Sequence, residues 1–180
     1  MSTLLDRQFE FNLWANIEII NLCASLNADQ LAVEIPGVYG RIQPTIAHLV
    51  HGEGNFLRDL GGDALWPDEV DWDNLTLDQL CEMAQQSGTA LREIAGAVAP
   101  DSRREFIEED DQYVFPAWTV INQAINHGIE HRTQLRLLLT QLGVPHPGQS
   151  VWGFAESIGA LQIRRVSQKE HSSTDLEDSQ

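Results

Sequence analysis

The sequence predicts an all-α protein whose long helices form a bundle. Three observations carry this. Apolar residues recur at helical spacing through four long segments. Two capping-box patterns, Asn27 with Gln30 and Thr76 with Gln79, mark helix starts. Extended pattern is confined to one short pair of segments before the last long helix. At 180 residues the chain suffices for one domain with a substantial core. We place that domain over residues 1–166 and read 167–180, whose one apolar residue is Leu176, as a disordered polar tail.

The first helix is expected over residues 3–26, with Leu4, Leu5, Phe9, Leu13, Ile17, Ile20 and Leu22 as its apolar positions. Asn12 and Asn16, an i, i+4 pair in its middle, are read as solvent-facing. A short helix follows the Asn27 cap, and Pro36, Gly37 and Gly40 make a loop. The second long helix covers 43–60, with Pro44 suited to the first helical position and Ile46, Leu49, Val50, Phe56, Leu57 and Leu60 inward. Residues 61–75 carry two adjacent glycines, Pro67 and five acidic residues, so they form a loop. Trp66 and Trp72 should fold back from it as apolar plugs, and its length suits a functional cover. Thr76 opens the third long helix, 77–98, which Pro100 closes. Residues 104–107 and 113–115 read as a small hairpin turning at 108–111. Pro116 opens the fourth long helix and Gly143 ends it. A last helix, 151–166, should pack across the bundle.

The net charge is −16, from 27 acidic and 11 basic residues. Binding to phosphate backbones or anionic membrane surfaces needs clustered Lys and Arg, so nucleic acid and membrane are excluded as partners. No segment reaches the length of a membrane span and no signal peptide is read, which makes the cytoplasm the expected location. Cys23 and Cys81 fall in apolar helical patterns and are read as buried free thiols.

Chemistry concentrates in the histidines. His127 and His131 are four residues apart, so on the fourth helix they stack one turn apart on one face. Val120, Ala124, Leu135 and Leu138 lie near that face, which places it beside the core. His48, on the margin of the second helix's apolar arc, supplies a third imidazole. His51, one turn on, is the alternative third ligand, ranked lower because it points further from the arc. Three neutral imidazoles on a divalent ion leave positions for water or substrate, the open arrangement of a catalytic site. Zinc, nickel and iron(II) all accept it, and spacing does not choose among them. A lone HxxxH is a weak motif that packing histidines would also explain. A ferritin-like di-iron site lacks its Glu-x-x-His pattern, and HExxH and GxSxG are absent. Glu53 falls near the middle of the second helix's apolar arc, where a carboxylate needs a partner. It is therefore a candidate catalytic residue, and a salt bridge within the core explains it equally well.

Asn12-Leu13-Trp14-Ala15-Asn16, Thr45-Ile46-Ala47-His48 through Glu53, and Asn126-His127 through His131-Arg132-Thr133-Gln134 together resemble the DinB family, the damage-inducible DinB/YfiT-like metalloenzymes. The similarity spans about residues 3–155. It implies a four-helix bundle of up-down-down-up topology with a long crossover, and a divalent metal on His48, His127 and His131. It also implies thiol chemistry, since relatives include S-transferases that use a low-molecular-weight thiol. The first expectation is thus a metal-dependent transferase that activates a thiol cosubstrate toward an electrophilic small molecule, with Glu53 or Glu130 orienting a histidine. The alternative is a non-catalytic metal-binding module, forming a homodimer through exposed helix faces.

Overall fold

A computed structural model describes residues 2–108, 110–146 and 148–162. The polar tail expected at 167–180 lies outside the described residues. Four long helices form a bundle: α1 (Leu4–Ala24), α3 (Ile42–Asp59), α4 (Leu77–Ala97) and α5 (Ala117–Gln141). A single turn, α2 (Ala28–Leu31), follows the Asn27–Gln30 capping box, and the same device on Thr76 and Gln79 opens α4. Strands β1 (Arg103–Glu108) and β2 (Asp111–Pro116) pair antiparallel between α4 and α5, with Arg103 opposite Pro116 and Glu108 opposite Asp111. Phe106 and Tyr113 stack across them at 4.8 Å.

Side-chain pairs give the direction of each helix. Asp6 meets Arg92, Leu13 lies against Gly88, and Asn21 meets Cys81, so α1 and α4 are antiparallel. Gly52 lies against His127 and His48 beside His131, so α3 and α5 are antiparallel. Ile46 shares an apolar cluster with Leu80 and Ala84, and Leu57 shares another with Leu91 and Ala95, so α3 and α4 run parallel. The order up-down-down-up follows. Two parallel neighbours cannot be joined by a tight turn. The 18 residues of α3 rise about 27 Å, and the return needs a crossover of that reach. Residues 60–76 supply it, interrupted by a single 3₁₀ turn, Trp72–Asn74. Trp66 and Trp72 meet edge to face at 5.3 Å and pack against the first apolar cluster, as plugs should.

The core is divided. One cluster gathers Ile19, Ile20, Ile42, Ile46, Leu80, Leu135 and Leu138, and the other Phe9, Leu57, Leu60, Leu91, Val120 and Ile121. Between them lie buried polar side chains from every long helix: Asn12 and Asn16, Glu53, Ser87, His127, His131 and Arg132. This corrects the reading of Asn12 and Asn16 as solvent-facing: they are 2% and 0% exposed. Their partners stand on other helices, and nothing local announces them.

Two boundaries and the burial of one cysteine differ from expectation. Helix α3 begins at Ile42, so Pro44 sits within the first turn and not at its first residue. That turn's N–H groups have no intrahelical partner, so proline loses nothing there. Cys81 is only partly buried, with Sγ 3.5 Å from Asn21 Oδ1. In the second compact unit, which begins at Ser150, helix α6 (Val151–Ser157) ends well before residue 166. Gly159 takes φ +70°, and the Ala160 N–H closes back on the Ala155 carbonyl, a left-handed reversal that stops a helix. Among the described residues no helix is long and apolar enough to cross a membrane.

Candidate metal centre

His48 on α3 and His127 and His131 on α5 converge at the level of the polar layer. One ring nitrogen from each lies within 4.8 Å of the others. Ring centroids are 5.1 Å apart for His48 and His127, 4.8 Å for His48 and His131, and 4.4 Å for His127 and His131. His127 and His131 are 8% and 4% exposed, while His48 is half-buried. The trio therefore opens to solvent on the His48 side.

The close approach of α3 to α5 depends on Gly52. A Cβ there would lie 2.5 Å from His127 Cε1 and 2.9 Å from Nε2, so any larger residue would displace the ring. Phe56, one turn further on, meets His127 edge-on at 5.3 Å. Tyr39, on the loop before α3, stacks on His48 at 4.2 Å and meets His131 edge-on at 5.4 Å.

Electrostatics favour the neutral form of His127 and His48. Burial, then the neighbouring His131 and His48, brings His127 down to about 3. Burial, then His131 and His51, lowers His48. Neutral imidazole is the form that ligates a metal. His131 Nδ1 lies 3.0 Å from Gln134 Oε1, an acceptor only, so Nδ1 carries the proton and Nε2 keeps its lone pair. The same amide oxygen accepts from the Tyr39 N–H at 3.3 Å, and Gln134 Nε2 donates to Glu130 at 3.4 Å. His127 Nδ1 is buried with no hydrogen-bond partner. A buried ring nitrogen without a partner is costly, and a bound ion is one way to satisfy it. The donor set thus fits a divalent metal.

The other sequence candidates fall in different places. His51 points away from the trio, its ring 4.7 Å from Trp72. Glu130 is exposed and reaches His131 through Gln134. Glu53 is 1% exposed, and its hydrogen-bond partners are Asn12 Nδ2 (3.2 Å), Asn16 Nδ2 (2.8 Å) and Ser87 Oγ (2.6 Å). Arg132 NH1 donates to the oxygens of the same two asparagines, at 2.7 and 2.5 Å. Gly128 leaves room for this, since a Cβ there would lie 2.4 Å from Asn12 Oδ1. Burial raises Glu53 to about 7, against the pull of Ser87, Arg132 and the asparagines. Burial also brings Arg132 down to about 10. Both directions say that desolvation outweighs their mutual attraction, and the asparagine amides bridge the pair.

Residue-by-residue reading did not single out Tyr39, Gln134 or Gly52. Gln134 stands three residues from His131, on the same helix face, which is the available signal. A glycine one turn from His48 in the middle of a helix is the corresponding signal for Gly52.

Comparison with known proteins agrees with this architecture. The crystal structure of a DinB-like protein from Bacillus cereus ATCC 10987 superposes with a TM-score of 0.63 at 17% identity, covering 82% of this chain and 97% of that one. At that identity the likeness establishes the fold. No curated protein matches the sequence. The DinB family model matches residues 1–165. With the bundle, the histidine trio and that match in agreement, the chain belongs to the DinB family.

Proposed function

We propose that the chain is a divalent-metal-dependent transferase that joins a low-molecular-weight thiol to an electrophilic small molecule. The observation that carries this reading is the convergence of three imidazoles at the margin of the core, open to solvent on one side. A closed structural site would surround its ion with four protein ligands, whereas three leave a position for a small molecule. His48, His127 and His131 would hold the ion. When bound, a divalent cation supplies Lewis acidity and lowers the pKa of a coordinated thiol, so that thiolate is available at neutral pH.

The chain's residues prepare the site. Gln134 fixes the His131 tautomer, Gly52 admits the His127 ring, and Tyr39 and Phe56 wall the donors with aromatic surface. In the overall reaction the S–H bond and the bond from the electrophilic carbon to its leaving group break, and a sulfur–carbon bond forms. The thiol proton leaves to solvent on the His48 side, or to the group that departs from the electrophile.

The test loads the purified protein with zinc, nickel or iron(II) and follows loss of thiol with a panel of electrophiles. Metal-dependent turnover is expected, and it should vanish in His131→Ala. A protein that binds metal at one equivalent yet turns over no thiol would remove the enzymatic reading and leave a metal-binding module.

A further inference from the structure

His51, Trp66 and Trp72 take no part in the histidine trio, yet they come together. A cavity of about 70 Å³ lies between α3 and the 60–76 connection. His51, Asn55 and Arg58 line it from the helix, and Trp66, Asp68 and Trp72 from the connection. Positions 51, 55 and 58 share one helix face.

The lining is rich in donors. Arg58 offers a guanidinium fork, which has no acceptor capacity. The Trp66 Nε1–H, also donor-only, is buried with no partner. Arg58 already faces a carboxylate, but weakly: NH1 stands 3.8 Å from Asp68 Oδ1, too far for a hydrogen bond. Asp68 is itself 91% exposed, so the contact is loosely held. The other Arg58 contact is to the Asn55 side-chain oxygen. A strongly acidic protein thus lines a small cavity with an arginine and other donors, about one helical turn from His48.

We propose that this cavity is a carboxylate-binding subsite, in which Arg58, His51 and the Trp66 indole N–H receive the carboxylate end of a small-molecule ligand. Planar, paired donors suit a carboxylate. The volume holds such a group but not a whole substrate, so the remainder of the molecule extends beyond it. That the remainder reaches the histidines rests on the transferase reading above, whereas carboxylate binding does not.

The experiment uses the full chain, ¹⁵N-labelled and free of metal. Sodium acetate is titrated against sodium chloride at matched ionic strength, and the indole N–H signals are followed, with Trp66→Phe assigning one of them. We expect saturable movement of the Trp66 signal with acetate alone. Arg58→Gln should weaken it tenfold or more, and Asp68→Asn, which removes the internal competitor, should strengthen it. His131→Ala should leave it unchanged. A Trp66 signal that does not move, affinity unchanged by Arg58→Gln, or saturation by inorganic phosphate and not by acetate would overturn the subsite. Acetate binding without thiol turnover would uphold the subsite while removing the transferase. Turnover without acetate binding would do the reverse.

Discussion

At the scale of single residues, the partners of a side chain decide what it does. Gln134 touches no other helix's histidine, yet its oxygen decides which nitrogen of His131 is free. Replacing it with leucine removes that constraint with little change in bulk. Metal affinity should fall 10- to 100-fold, about 1.4–2.7 kcal/mol, as for other groups that orient a ligand; competition with a chromophoric chelator measures it. Glu53 allows a different test. Its folded pKa, about 7, lies above the ordinary 4.5, so the folded state holds this proton more tightly than the unfolded chain does. The stability it contributes is complete below pH 4.5 and lost as pH rises through 7. Glu53→Gln has no such titration. The melting temperature of the metal-free wild type, minus that of the variant, should therefore fall between pH 4.5 and 7 and level off above. A gap that stays flat across that window would mean that Glu53 is already ionised in the fold. Comparison with the variant is needed because His127, lowered to about 3, acts in the opposite sense: its contribution is present above pH 6.5 and lost toward pH 3.

At the scale of elements, helix propensity and helix packing conflict at Gly52. Alanine there would favour an isolated α3 by about 1 kcal/mol. Its Cβ would also lie 2.5 Å from the His127 ring. Packing should prevail where the metal is concerned. Gly52→Ala is expected to lose at least tenfold in metal affinity, by calorimetric titration, while its helical circular dichroism is unchanged or stronger. The helices themselves were legible in the sequence because their signals are local: apolar spacing, Thr76 with Gln79, Pro116 before α5. The trio was legible too, since HxxxH fixes two rings on one face and the second helix carries the third. Asn12 and Asn16 were not. Their burial depends on Glu53 and Arg132, which lie far along the chain and meet them only when four helices assemble. Gly159 was a local signal that apolar periodicity alone overlooks.

At the scale of the molecule, the polar layer divides the core, and the histidines sit where α3 and α5 cross it. A metal bound there ties together two helices from opposite sides of a long sequence gap. It binds the folded chain and not the unfolded one, so it should stabilise by mass action, about 4 kcal/mol at a thousandfold excess over its Kd. Adding zinc to chelator-treated protein should raise the melting temperature by several degrees, and His127→Ala should abolish the rise while remaining a folded bundle. An identical rise in that variant would place the ion elsewhere.

The parallel course of α3 and α4 has one more consequence. A peptide long enough to run back along α3 must pass over its outer surface, and here it carries Trp66, Asp68 and Trp72 past His51 and Arg58. The wall of the small cavity is therefore a by-product of connectivity. Deleting residues from that wall would not simply uncover the cavity: a hairpin-length link could only join helices of opposite sense, and a reversed α4 would carry Ser87 away from Glu53.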